Sequence, residues 1–354
     1  MRVVRNCGWN RCRFCAVYKG CGFSPRGLAE VLADVDAMKA AAEVLAGGPM
    51  AALRAEAVPP EAYQVALFLH DGARSVFLQD ADPCAVTPAT LAAEIERVRA
   101  AFASVTRVTT YGRAATLARR RPAELELLRA AGLTRVHVGM ESGADAVLAR
   151  VDKGCTAAQL VTAGRQVLEA GIELCYYVMP GLGGRDLAGE HVRGTAAVLR
   201  EVADAATPER PLVVRLRTTA VVPGTPLSDD EEAGRFALPD DVEVAAELRE
   251  LLELLDGVRF ELRSDHALNL MSSLEGTLPD DRDRLCGLLD DFLALPPARQ
   301  AEFVWTARTG ISRRVGESRD AQARPALAGE AAGGRDAETD EMLETAKRLR
   351  ARFL

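Results

Sequence analysis

The sequence predicts an α/β protein: a partial (β/α)6 barrel of parallel strands with a mainly helical carboxyl-terminal extension. Three observations point there. Short runs rich in β-branched residues alternate with longer helical patterns. After a longer first gap the runs recur roughly every 30 to 40 residues, as a strand, a crossover helix and two loops require. The alternation fades after about residue 230, where helical patterns take over. Alternation of this kind implies a parallel sheet with right-handed crossovers. Six such units fit an open barrel, and a doubly wound sheet is the competing geometry.

The candidate strands are "RVVR" at 2–5, "SVFLQ" at 75–79, "RVTTY" at 107–111, "RVHVGM" at 135–140, "ELCYYVM" at 173–179 and "LVVRLRT" at 212–218. Helices are expected between them. The first opens with Ser24 as N-cap and Pro25 in the first turn and closes at Gly47; later ones take Thr87 and Thr156 as caps. Residues 1–232 form the expected core and residues 233–315 the extension. Within the extension, "DVEVAAELRELLELLDG" reads as an acidic helix, "VRFEL" as an added strand and 281–309 as helices. In "RSDHALNLMSSLEGTLPDD", Asp265, His266 and Asn269 precede an apolar helix-like run, and "GTLPDD" reads as a turn leading to an N-cap. Residues 316–354 read as a linker rich in Ala, Gly and charge, then a flexible terminal helix.

The chain of 354 residues is 48% hydrophobic, enough for a real core, and its formal net charge is −7. That charge, with 5% aromatic residues, argues against a nucleic-acid partner. No apolar run suits a leader or a membrane span, so a cytoplasmic address with reduced thiols and no membrane partner is expected. In such a compartment, crowded cysteines point to metal.

Three of the eight cysteines crowd into "RNCGWNRCRFC", as Cys7-x4-Cys12-x2-Cys15. Following the first strand, they fall at the edge where parallel α/β folds build their sites. Zinc would take a fourth ligand, which Cys21 could supply. Three close thiolates with the fourth cysteine offset suit an iron–sulfur cluster with one iron left open. Around them Arg2, Arg5, Arg11, Arg13, Lys19 and Arg26 stand with no acid before Glu30.

This loop resembles that of the radical S-adenosylmethionine (SAM) superfamily, whose usual spacing is C-x3-C-x2-C with an aromatic before the last cysteine. Phe14 fills the aromatic place, and the longer first gap resembles a subset of the superfamily. The resemblance implies a 4Fe–4S cluster on Cys7, Cys12 and Cys15 whose open iron chelates SAM. One electron then splits SAM into methionine and a 5′-deoxyadenosyl radical that attacks the substrate. Further matches follow at later strand ends. "FLQDADP" puts Gln79, Asp80 and Asp82 where relatives hold the methionyl amino group, although Asp80 and Asp82 could instead cap a helix. "YGRAATLARR" offers Tyr111 to the same mouth, and "VGMESG" offers Glu141 and Ser142 to ribose or the amino-acid end of SAM. Lys153 is a candidate partner for the SAM carboxylate. In "VRLRTTAVVPGTPL", similar to the sixth-strand region of relatives, Arg215 and Arg217 share one strand, so at least one must find an anion or a solvated edge.

The resemblance covers roughly residues 1 to 230 and leaves the substrate unidentified. It also implies an acidic electron donor, flavodoxin or ferredoxin, for which the basic amino-terminal cluster is the expected docking field. The alternative is an iron–sulfur or zinc binding module whose cluster is structural and does no radical chemistry.

Overall fold

Apolar residues that alternate along short β-branched runs bury one face or both, and helices with a single apolar stripe cover them. A computed structural model describes residues 1–45, 60–309 and 335–353 of the protein. They divide into two compact units. The first comprises residues 1–8, 20–138 and 166–174, the second 9–19, 139–165 and 175–354.

In the first unit, β3 (Ser75–Leu78) and β4 (Arg107–Tyr111) run parallel with Ser75 opposite Arg107. The start of β5 (Arg135–Glu141) continues the sheet in parallel, with Thr109 opposite Arg135. Helices α1 (Leu28–Leu45), α2 (Pro60–His70), α3 (Pro88–Ala101), α4 (Ala114–Leu117) and α5 (Pro122–Ala131) complete this unit. Leu91, Ile95 and Val98 of α3 and Leu125 and Leu128 of α5 are buried with Val76, Leu78, Val108 and Val136 of the strands. Thr87 caps α3 as expected, its hydroxyl accepting the Thr90 N–H at 3.2 Å.

In the second unit the strand order is β5, β6 (Glu173–Val178), β7 (Leu212–Leu216), β8 (Phe260–Arg263) and β9 (Gly276–Leu278). β8 lies parallel to β7, with Val213 opposite Glu261, and β9 returns antiparallel to β8, with Phe260 opposite Leu278. Its helices are α6 (Asp145–Arg150), α7 (Ala157–Glu169), α8 (Ala188–Ala203), α9 (Pro226–Glu232), α10 (Asp241–Leu254), α11 (Arg282–Leu293), α12 (Pro297–Thr309) and α13 (Ala337–Leu349). Thr156 caps α7 by a reciprocal pair: its hydroxyl accepts the Gln159 N–H at 3.2 Å, and Gln159 Oε1 accepts the Thr156 N–H at 3.1 Å. The α/β class is as expected.

Several local expectations are corrected. The first strand shrinks to β1 (Val4–Arg5), which pairs antiparallel with β2 (Ser24–Pro25). A parallel bridge from Arg2 to Gln79 and backbone hydrogen bonds of Met1, Val3 and Val4 to Gln79 and Asp80 tie it to the end of β3. Ser24 and Pro25 therefore belong to a strand, and α1 begins at Leu28; the expected end at Gly47 lies outside the described residues. The first half of "GTLPDD" is strand β9, because Gly276, Thr277 and Leu278 complete the edge of β8, and the expected turn is confined to residues 279–281. The run after His266 is not helical: Ser264, Asn269 and Glu275 tie it to neighbouring backbone instead. The terminal helix, expected to be flexible, packs on α12 and buries Leu343 and Ala346, followed by Arg350. Most of the expected linker, residues 316–334, lies outside the described residues.

Candidate active site

The cysteine loop of the second unit, residues 9–19, is held from three sides. The Trp9 indole N–H donates to Asp152 O at 2.6 Å, and a Cβ on Gly154 would stand 2.3 Å from the Trp9 ring. Gly154 therefore has to be glycine, for that contact and for its φ of +71°. The Arg13 backbone N–H donates to Val151 O at 2.9 Å and its carbonyl accepts from Leu227 N–H at 3.0 Å. Its guanidinium pairs with Asp230 at 2.6 Å. Phe14 packs between two apolar clusters, one of Ala144, Val147, Val151, Met179 and Leu182, the other of Leu227, Phe236 and Leu238. Cys12 and Cys15 bracket a turn, with Cys15 N–H donating to Cys12 O at 3.3 Å, and both are half-buried and outside any disulfide.

At the carboxyl end of β5, Glu141 adopts a φ of +63°, a left-handed conformation that costs a side-chain-bearing residue about 1–2 kcal/mol. The turn aims its carboxylate at Lys153, whose Nζ lies 2.7 Å away and 5.9 Å from the Phe14 ring centroid. Burial opposes the Lys153 charge, yet Glu141 and the Cys12 sulfur outweigh it and hold its pKa above the ordinary value. Gly139 makes the pair possible, since a Cβ there would stand 2.2 Å from Glu141 Oε1 and 2.8 Å from Lys153 Nζ. Gly139→Ala is expected to part the pair and destabilise the protein by about 1–3 kcal/mol in urea titration. Gly287→Ala, in α11 with no neighbour within 4 Å of the added carbon, should stabilise by about 0.5–1 kcal/mol. Equal midpoints for the two variants would refute the account of Gly139.

Ser142 heads a buried chain of polar groups. Its hydroxyl accepts the Ala144 N–H at 3.1 Å and lies 2.8 Å from His191 Nδ1. His191 Nε2 is 3.4 Å from Glu247 Oε1, which also accepts the Gly181 N–H at 2.8 Å. The end of β5, the loop after β6, α8 and α10 are thus joined through three buried side chains. Burial pushes the Glu247 carboxyl up to about 8 and the His191 imidazole down to about 4, so near neutral pH an acid meets a neutral ring and no ion is buried. Glycines let the backbones close here: a Cβ on Gly143 would stand 2.3 Å from Gly194 O.

The first unit carries the remaining candidates. Asp80 is buried, pairs with Arg2 Nε at 2.9 Å and accepts the Asn6 N–H at 3.3 Å, so it anchors the segment leading to the half-buried Cys7. Gln79 is engaged through its backbone, its carbonyl accepting from Val3 and Val4 and its N–H donating to Met1 O at 2.8 Å. Asp82 accepts from Arg113 N–H at 3.1 Å and the Thr116 hydroxyl at 2.7 Å, next to α4, and burial raises its pKa. Tyr111 joins a ring cluster, 4.7 Å from Phe77 and 6.0 Å from His137 between centroids. A surface depression of about 620 Å³ in this unit is lined by Thr106 and Thr134, which precede β4 and β5, and so sits at the opposite strand edge from these groups.

The basic amino terminus is more neutral than its composition implies. Arg2 pairs with Asp80, Arg5 with Glu30, Arg13 with Asp230, and Arg26 with Glu30 and Asp34. Lys19 donates to Asn10 O at 2.9 Å, and Arg11 stacks 5.0 Å above the Trp9 ring.

Sequence reasoning missed Gly139, His191, Glu247 and Asp230. Only Gly139 carried a signal, as a lone glycine inside a strand, where close approach of another group is the usual cause. His191 and Glu247 sit in helices that carry many other polar residues, and nothing local marks these two.

The donor set suits a 4Fe–4S cluster, which takes each thiolate on a separate iron: Cys7, Cys12 and Cys15 are outside any disulfide and partly exposed. Among the described residues, no three His, Cys, Asp or Glu gather closely enough to hold a single metal ion. The Glu141–Lys153 pair, with room made by Gly139, presents a carboxylate and an ammonium of the kind an amino-acid end of opposite polarity would meet.

No curated protein matches the chain. Among solved structures it is similar to the archaeal Elp3 of Methanocaldococcus infernus, at 14% identity and a TM-score of 0.44 over 58% of this chain and 51% of that one. It is similar to the cobalamin-dependent S-adenosylmethionine radical enzyme OxsB, at 13% identity and a TM-score of 0.47 over 99% and 53%. It is similar also to the coproporphyrinogen III oxidase HemN of Escherichia coli, at 15% identity and a TM-score of 0.42 over 69% and 49%. The chain spans about half the length of these proteins. The family model of the radical SAM superfamily matches residues 1–193, more than half of the sequence and all three clustered cysteines, and the chain belongs to that superfamily.

Proposed function

We propose that the protein is a radical SAM enzyme in which Cys7, Cys12 and Cys15 hold a 4Fe–4S cluster and the strand ends around Glu141 receive SAM. Enzymes of this superfamily use those two cofactors. Held by these three thiolates and reduced, the cluster would supply the one electron for reductive cleavage of SAM. The observation that carries the reading is the cysteine loop stitched at Trp9, Arg13 and Phe14, within the span of the family match. Rigid anchoring of that loop keeps the thiolates in place without help from the ligand.

The chain's own groups have distinct tasks in this reading. Phe14 excludes water beside the loop. Glu141 and Lys153 meet the polar groups of SAM, exchanging their mutual ion pair for bonds to the ligand. The Ser142 hydroxyl is oriented for the same site. Asp80 steadies the segment before Cys7, while Gln79, Asp82 and Tyr111 line the edge in the first unit. The electron would come from an acidic donor, flavodoxin or ferredoxin. The substrate stays unidentified.

The test is anaerobic reconstitution with iron and sulfide, reduction with dithionite, addition of SAM and chromatography for 5′-deoxyadenosine. Wild type should hold four irons and form 5′-deoxyadenosine. Cys12→Ser should lose the visible absorption of the cluster, and Cys21→Ser should keep it. An intact cluster with no 5′-deoxyadenosine would favour an iron–sulfur module without radical chemistry.

A further inference from the structure

Two arginines alternate along the end of β7 and meet different fates. Arg215 is answered: its Nε lies 3.1 Å from Asp265 Oδ1, Nη2 bonds the same carboxylate, and its guanidinium stands 5.9 Å from the Tyr177 ring centroid. Arg217 follows the strand and donates its backbone N–H to Val178 O at 2.9 Å, so it extends the ladder at the carboxyl edge. Its side chain is half-buried, and among the described residues nothing accepts from its guanidinium.

The loop after β8 is fastened around that arginine. Buried Asn269 accepts from the Thr218 N–H at 3.0 Å and the Thr218 hydroxyl at 3.1 Å, and donates to Leu216 O at 2.9 Å. The residues on both sides of Arg217 are therefore stapled to one side chain. Buried Arg308 holds the same loop by donating to Leu268 O at 2.7 Å. His266 lies in this loop, with its carbonyl accepting the Asn269 N–H at 3.0 Å. Its Nδ1 accepts the Leu268 N–H at 3.1 Å, so the neutral ring carries its proton on Nε2 and is a donor there. Burial first, and then the positive charge of Arg217, lower its pKa from the ordinary value. The nearby carboxylate, Asp265, is already engaged by Arg215.

We propose that Arg217 and His266 form a receptor for an acidic group, a carboxylate or a phosphate, on the substrate. Both groups offer hydrogen-bond donors, the Arg217 guanidinium and the His266 Nε2–H, which suits an anion and disfavours a cation. A guanidinium fork matches two oxygens of either acid, and half-burial limits screening by salt. The staples fix the backbone that carries both donors, so only the side chains are left for binding to order. The receptor stands at the carboxyl edge of β7 and β8, where parallel sheets take their ligands. It rests on the reading that this edge of a radical SAM enzyme receives the substrate.

Calorimetry on the anaerobically reconstituted protein with SAM bound tests it, using inorganic phosphate and acetate as separate probes at constant ionic strength. Wild type should bind at least one probe; the stronger identifies the acid. Arg217→Gln and His266→Gln should each weaken that binding about tenfold or more, with melting temperature and SAM affinity unchanged. Arg217→Lys should recover part of it, since charge is kept and the fork lost. Absence of binding in wild type, or equal binding in wild type and Arg217→Gln, would overturn the proposal. So would loss of SAM affinity in Arg217→Gln, which would assign the receptor to the cofactor's own carboxylate. Anion binding needs no radical chemistry, so it can fail while 5′-deoxyadenosine forms and succeed where it does not.

Discussion

Asp241→Ala is expected to destabilise the second unit by about 3–5 kcal/mol, a large part of the roughly 5–15 kcal/mol that holds a domain together. Asp241 is fully buried at the start of α10, between two guanidiniums that are themselves out of solvent. Arg308 bonds one carboxylate oxygen through Nη2 at 2.5 Å, and Arg350 Nη2 lies 3.1 Å from the same oxygen. Arg350 also donates to Thr219 O at 3.3 Å and Pro239 O at 3.0 Å. Deleting the carboxylate leaves two buried cations facing each other with their desolvation uncompensated. The cost comes from that repulsion and stranding, and much less from the pair's own net strength. Burial works against the charged carboxylate, but both arginines outweigh it and hold its pKa below the usual range, so this contribution stands above about pH 4 and fades only in stronger acid. Asp241→Asn should recover little, since it restores shape without charge. Urea unfolding of the Ala and Asn variants near pH 7 measures the loss, and a shift under about 1 kcal/mol for both would disprove the account.

Stability should fall by about 2 kcal/mol between roughly pH 6.5 and 8 on account of Glu247. In the folded protein this acid keeps its proton up to about 8, whereas in the unfolded chain it loses it near the ordinary carboxyl value of 4.5. The folded state therefore holds one more proton than the unfolded state across that interval, and raising the pH favours unfolding. His191 works in the opposite sense, because its folded value of about 4 lies below the ordinary 6.5 and makes acid destabilising from 6.5 downward. The two effects oppose each other below about 6.5 and leave the Glu247 slope clear above it. Glu94, buried in α3 with its pKa pushed up to about 7, adds a slope of the same sign in the first unit, so the Glu247 part is isolated by comparison. Glu247→Gln keeps an oxygen to accept the Gly181 N–H and face His191 Nε2, and removes the titration. Its stability should fall less than that of wild type over this range. Parallel curves for wild type and variant would show that Glu247 is ionised throughout.

Much of the framework was legible because it is local. The strand 107–111 and the caps at Thr87 and Thr156 follow from β-branched alternation and from hydroxyls placed before helical stretches, both set by near neighbours. Ser24 and Pro25 show the limit. They carry the pattern of a helix start, yet the unpaired edge of Val4–Arg5 takes them as a strand. The first half of "GTLPDD" was claimed by the edge of β8 in the same way. A sheet edge offers hydrogen bonds to any segment that reaches it, and no window of ten residues records which one does.

The candidate site divides along the same line. Phe14 and the Glu141–Ser142 pair were named through the family resemblance, while the cysteine crowding could be named from order along the chain, because close spacing alone brings such groups together. Which partner each distant charge would take could not: Arg13 with Asp230, Asp80 with Arg2, Glu247 with His191 and Asp241 with Arg308 are joined across 217, 78, 56 and 67 residues. Of the two arginines at the end of β7, composition required only that one find an anion or water. That Arg215 is matched and Arg217 is held open follows from where Asp265 and Asn269 come to rest. Covalent order dictates periodicity and short-range capping, but a buried charge is satisfied by whatever folding brings beside it.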